Sequence, residues 1–171
     1  MLSLSTTQIV QICNNFANAH PLLTSFRAGY DYDQSDYTNA HTYPLLFLKL
    51  PLMYSYDVAD RTKASLRSCT FQLQCLDIPE PDLSRQDANT TLIFDKTRLI
   101  LEDFVSLWVD SEAWQVGAAL VSAQIDGLTE VVNMDKAIAS DLLITVQTLA
   151  NDFTCTDLIG DIGLIGLSDC N

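Results

Sequence analysis

An α+β domain of about five mostly antiparallel strands, with two helices packed on one sheet face, is what the order of periodic segments in this chain predicts. Three observations carry that expectation. Two stretches repeat their apolar residues with a helical period, near the start and again between the third and fourth strand-like runs. The remaining runs alternate with period two or are wholly apolar. The linkers between strands are too short for β-α-β crossovers, except across the second helix.

The first helix opens at Ser5-Thr6-Thr7-Gln8, a capping-box spacing. Ile9, Ile12, Cys13, Phe16 and Ala17 then mark one helical face, and Pro21 ends the helix at His20. From Leu22 to Asp33 the period becomes two: Leu22, Phe26, Ala28, Tyr30 and Tyr32 share a face opposite Ser25, Arg27, Asp31 and Asp33. Residues 33–42 form a polar loop, long for a hairpin connection. Tyr43 to Met53 is almost entirely apolar, as in a strand covered on both faces, while Pro44 and Pro51 require strand ends or an unpaired edge.

Cys69, Phe71, Leu73 and Cys75 alternate with Ser68, Thr70, Gln72 and Gln74 in the cleanest strand of the chain. Its phase slips at Leu76 and Ile78, which predicts a bulge or a change of environment. The second helix runs from about Thr90 to Val109, with Ile93, Thr97, Ile100, Phe104, Leu107 and Trp108 as its buried stripe, widened by Leu101 and Val105. Phe71 and Leu73 are expected to face Ile100 and Phe104. Ala119, Val121, Ala123 and Ile125 suggest a fourth strand turned at Asp126-Gly127, followed by a short run from Leu128 to Val132. Leu142, Ile144 and Val146 mark a last strand ending near Thr154.

The 171 residues imply a single domain, here assigned to residues 1–155, large enough to bury a core without metals or disulfides. Residues 156–171 stand apart: rich in Leu and Ile, with Gly160, Gly163 and Gly166 at every third position, they read as an extended arm. The net charge of −13 argues against wrapping nucleic acid or binding anionic lipid. Only 18% of residues are charged and 48% are hydrophobic, against a usual charged share of about 25%. That excess of apolar surface points to burial against other subunits. Cys13, Cys69, Cys75, Cys155 and Cys170 form no CxxC and lack a histidine at metal spacing, and their odd count suggests reduced thiols made in a cytosol. Residues 1–10 do not read as a signal peptide, and no apolar run reaches the length of a membrane span.

No nucleophile elbow, phosphate-binding loop, zinc-protease motif or dinucleotide fingerprint occurs in the sequence, and no cofactor is implied. His20, in the last turn of a helix, is expected to satisfy carbonyls and the helix dipole. Asp31, Asp33 and Asp36 resemble a calcium loop only superficially, because Asp36 stands where glycine is required and Thr42 where glutamate is. They and His41 read as solvated residues of a long loop that meets a neighbouring subunit. Leu128, Val131 and Met134 are expected at the same kind of contact. Leu158, Ile159, Ile162, Leu164, Ile165 and Leu167 in the arm are too apolar for water and are expected to clasp another copy. A small hydrolase built on Asp31, Asp33 or His41 is the least favoured reading, since no pairing of acid and base is visible.

Tyr43-Pro44-Leu45-Leu46-Phe47, followed by the alternating Phe71 to Asp77, resembles the tail-terminator and neck-ring proteins of tailed bacteriophages, which act as head–tail connectors. The shared pattern is a YPL strand, then a strand ending in LD, then a helix like Asp95 to Trp108, then a last strand closing on Cys155-Thr156-Asp157. The likeness covers roughly Ser25 to Asp157, while the loop lengths and the glycine-rich tail depart from the family. It implies a tail-terminator-like fold and a structural virion protein rather than an enzyme. Such a protein is a ring of six or twelve copies in the virion neck or tail, made in the bacterial host cytoplasm. Its partners are other neck, portal or tail-tube proteins, with DNA passing through an acidic lumen without specific binding, and with no membrane involved. The alternative is a non-enzymatic cytosolic adaptor or chaperone-like binding module of the same fold.

Overall fold

Ser5 caps the first helix, α1 (Thr6–Ala19), as its spacing predicts. Its hydroxyl accepts from the Gln8 amide at 3.3 Å, and the Gln8 side chain accepts from the Ser5 amide at 2.8 Å. Two donors of the first turn are thereby satisfied. His20 closes the helix, its amide bonded to the Phe16 carbonyl. The computed structural model describes residues 5–30, 42–57, 66–78, 88–109, 118–130 and 137–149.

Five strands, β1 (Ser25–Gly29), β2 (Leu45–Asp57), β3 (Leu66–Asp77), β4 (Ala118–Glu130) and β5 (Ile138–Leu149), form one sheet in the order β1-β2-β3-β5-β4, and α2 (Ala88–Val109) joins β3 to β4. The fold is α+β with a mixed sheet. Every pairing is antiparallel except β1 with β2, which is parallel. This corrects the expectation of a hairpin after β1: parallel neighbours start at the same end of the sheet and cannot be joined by a tight turn. The crossover expected across the second helix is present. β3 and β4 run parallel, and β5 is inserted between them.

Both helices cover the same sheet face. α1 lies against β1 and β2, and α2 against β3, β5 and β4. Ile9, Ile12, Cys13, Phe16 and Ala17 of α1 join Ile100, Leu101, Phe104 and Trp108 of α2 in one core with Leu46, Leu48, Phe71, Leu73, Leu142, Ile144 and Val146. Phe16 meets Phe104 edge-on at 5.1 Å between centroids, and Phe71 lies 6.1 Å from Trp108. Phe71 and Leu73 therefore share the core with Ile100 and Phe104, as expected. The Thr6 hydroxyl and the Tyr54 phenol, 2.9 Å apart, fix the start of α1 to β2, and the Arg67 guanidinium covers the same Tyr54 ring at 4.2 Å.

The opposite face has a smaller cluster, Leu45, Phe47, Leu76, Ala137 and Ala139. It explains both the unbroken apolar run at the start of β2, buried on two faces, and the slip of phase at Leu76, which is a change of environment. Pro51 sits where the β2–β3 register shifts between Lys49 and Met53, beyond the last residue paired with β1, so its missing donor costs no ladder bond to β1.

Two expectations need correction. β1 is only Ser25–Gly29: Leu22 and Tyr30 are 47% and 45% exposed and lie outside it, although Phe26 does pack on the core. In β4 there is no turn at Asp126-Gly127. The strand continues to Glu130 and absorbs one extra residue between Asp126 and Thr129 and another between Leu120 and Ser122. The extra residue at Val121 inverts the phase. Leu120 takes the core side that Val121 was expected to occupy, and Val121 is 56% exposed, whereas Ile125 keeps its assigned face.

Candidate functional site

Of the residues singled out for subunit contacts, Leu128 lies in β4, within the irregular step between Asp126 and Thr129. Asp31, Asp33, Asp36, His41, Val131, Met134, Leu158, Ile159, Ile162, Leu164, Ile165 and Leu167 lie outside the described residues.

The sheet itself presents the open surface. On the helix-free face, beyond the small cluster, β3 contributes Ser68, Thr70 and Gln72, and β5 contributes Leu143, Thr145 and Gln147. Thr70 and Thr145 hydroxyls are 2.9 Å apart, and Gln147 donates to Ser68 at 3.4 Å. These rungs satisfy one another across the strands and carry no charge themselves, with Lys49 beside Gln72 and the Asp126–Asp141 pair further along the same face. Exposed apolar groups border them: Met53 at 62% and Leu143 at 42%. On a chain of net charge −13, an uncharged patch is where two copies approach with least repulsion. β4 completes this surface as an outer strand, with no charged residue from Ala118 to Ile125.

A groove of about 540 Å³ lies between α1 and α2, lined by Asn15, Phe16, Ala19, His20, Pro21, Asp103, Ser106 and Leu107. His20 forms its wall. Its Nδ1 accepts from the Leu22 amide at 3.3 Å, and its Nε2 lies 3.2 Å from Asp103 Oδ2. The first contact leaves the proton on Nε2, which donates to the carboxylate. Both ring nitrogens are thus engaged, and the Ser106 hydroxyl donates to the Glu102 carbonyl at 2.9 Å rather than to the ring. The histidine–carboxylate contact ties the two helices together. His20 is expected from the sequence to satisfy helix carbonyls, and its partners are instead Asp103 and the Leu22 amide. Asp103 is 83 positions away in the chain, and nothing in the sequence signals that meeting.

A second polar cluster joins α2 to the sheet. Lys96 Nζ donates to Asp77 Oδ2 at 2.8 Å, and the buried Thr97 and Ser140 hydroxyls are 2.7 Å apart. Among the described residues no group of three or more His, Cys, Asp or Glu could hold a metal ion, and no helix is long and apolar enough to cross a membrane. Cys13, Cys69 and Cys75 are free thiols in the core. Burial pushes Cys13 and Cys75 far above the ordinary thiol range, so neither is a nucleophile at neutral pH.

Compared with known proteins, the chain matches no protein-family model and no curated protein.

Proposed function

We propose that this protein is a structural, non-enzymatic ring subunit of a phage neck or tail terminator, joining the head connector to the tail and lining the DNA conduit. The observation that carries the reading is the convergence of the segments that resemble that family. Leu45, Leu46 and Phe47 of the YPL strand pair with Leu76, Cys75 and Gln74 of the strand ending in LD. Asp77, the last residue of that strand, takes a hydrogen bond from Lys96, inside the helix that follows in the pattern. Three of the four motifs thus lie together, which supports the reading, while Cys155-Thr156-Asp157 falls outside the described residues.

The surface chemistry supports self-association. On the open sheet face the centre of β3 and β5 is uncharged and bordered by Met53 and Leu143, with Lys49, Asp126 and Asp141 at its margins, while most acidic residues of the chain fall outside the described helices and strands. An acidic conduit lets DNA pass without adhering. Light scattering on the purified protein, over a range of concentrations, tests the proposal. The expected result is a closed ring of six or twelve copies, and a monomer at every concentration overturns it.

A further inference from the structure

We infer that the outer edge of β4, between its two irregular steps, receives the apolar C-terminal segment of a second copy of this chain as an added strand. The inference rests on the ring reading and assigns the contact that closes the ring.

β4 is one of the sheet's two outer strands, β1 being the other, and along its outer side the main chain has no strand neighbour among the described residues. Such an edge is a template for pairing, and proteins usually guard it with lysine, proline, brevity or bulges. This edge has no lysine or proline between Ala118 and Ile125, the strand spans 13 residues, and its two bulges flank Ser122–Asp126 without interrupting it. Ala119, Val121, Ser122, Ala123 and Gln124 are all exposed. The two extra residues, at Val121 and after Asp126, leave a regular seat from Ser122 to Asp126 in which every residue keeps step with β5. Five residues of main chain are enough for a short added strand.

Three observations select the occupant. Residues 158–167 carry six Leu or Ile side chains and a single charge, Asp161, and glycine at every third position disfavours helix but suits an extended strand lying close to another. Next, β5 ends beside the start of the acceptor strand, on its inner side, since Thr148 pairs with Ala118. To pair with its own β4, the segment would have to cross over β4 and run back parallel to it, whereas a segment from another copy meets no such constraint. Finally, at a net charge of −13 two copies repel, and main-chain hydrogen bonds to an edge with no charged residue from Ala118 to Ile125 are a contact little opposed by that repulsion. Donor and acceptor are different surfaces, so the contact is heterologous and propagates around a ring rather than ending at a dimer.

The test uses full-length Ser122→Cys, a nearly isosteric change at an exposed site. Isotope-labelled and unlabelled chains are mixed at dilution, concentrated, oxidised mildly, and their disulfide-linked peptides weighed. Cys13, Cys69 and Cys75 are buried, which leaves Cys155 and Cys170 as partners for the introduced thiol. Disulfides joining Cys170 to that thiol between labelled and unlabelled chains are expected. Links within one chain only, or none, overturn the inference. Ala123→Pro and Gln124→Pro give a second readout. N–H directions alternate along a strand, so one of the two removes only an outward donor and is expected to melt like wild type yet run as a monomer. If that variant keeps the wild-type ring mass, the β4 edge is not the acceptor, although the ring reading survives. A wild-type chain that is itself monomeric defeats both.

Discussion

Asp77 Oδ2, at the end of β3, lies 2.8 Å from Lys96 Nζ on α2, and one residue along the helix the Thr97 hydroxyl meets Ser140 of β5 at 2.7 Å. α2 is thus keyed to the two central strands by one ion pair at the rim and one hydroxyl pair inside the core. Apolar packing alone tolerates sliding of a helix along its axis, whereas paired polar groups hold one register.

The hydroxyl pair predicts non-additivity. Thr97 and Ser140 are fully buried, so Thr97→Val strands the Ser140 hydroxyl and is expected to cost about 1–3 kcal/mol. Adding Ser140→Ala removes the stranded group, and the double variant should lose less than the sum of the two singles. Asp77→Asn is expected to cost less, about 1–2 kcal/mol, because Lys96 keeps 38% of its side chain in water. Urea unfolding of the four proteins measures all of this, and strict additivity would show that the two hydroxyls do not act as a pair.

Much of this fold is legible in the sequence, and the exceptions have physical causes. α1 is read residue by residue because a capping box, a five-residue apolar stripe and Pro21 agree. The stripe of α2 and the core face of β3 are read equally well, since each buries one side only. β4 defeats alternation because the extra residue at Val121 exchanges its faces mid-strand, leaving Leu120 and Ile125 on one side at an odd spacing. Strand direction is equally invisible to alternation, so the parallel β1–β2 pair looks like a hairpin with a long loop. The groove beside His20 has no local signature, for its walls come from opposite halves of the chain.

Phe71 is the test of the core. It lies on the helix-covered face of β3, 3% exposed, with its ring 6.1 Å from Trp108. Phe71→Ala opens a cavity between α2 and the sheet centre that neither can easily close, at an expected cost of about 3–5 kcal/mol. Phe71→Leu keeps most of the volume and should cost far less. Melting of Phe71→Ala at the wild-type temperature would mean that the helix does not cover this face.

His20 separates a tie between helices from a catalytic group. His20→Ala loses both ring contacts and the packing against Phe16, whose ring is 5.1 Å away, and is expected to cost about 1–2 kcal/mol. His20→Gln keeps a donor toward Asp103 and should recover part of that loss. Because Asp103 is 67% exposed, Asp103→Asn is expected to change stability by under about 1 kcal/mol. A His20→Gln variant no more stable than His20→Ala would show that packing, not the hydrogen bond to Asp103, fixes the ring.

The buried thiols predict alkaline weakness. Burial pushes the Cys13 and Cys75 thiols far up, and the Asp77 carboxylate beside Cys75 raises it further while Lys96 partly offsets this. Cys69 and Tyr54 shift the same way, again chiefly through burial. An unfolded chain releases its thiol protons near the ordinary value of about 8.5, whereas the folded chain keeps them. Above that pH the folded state binds more protons than the unfolded one, so stability falls as pH rises. The contribution of these thiols is complete below about pH 8.5 and declines by about 1.4 kcal/mol per thiol for each further pH unit, until the folded-state value is reached. Urea unfolding at about pH 8 and about pH 10 should therefore show a marked loss. Cys75→Ala, though less stable at both pH values for want of packing, should show a shallower decline between them. Equal slopes for the variant and the wild type would mean that Cys75 is not held as a neutral thiol beneath α2.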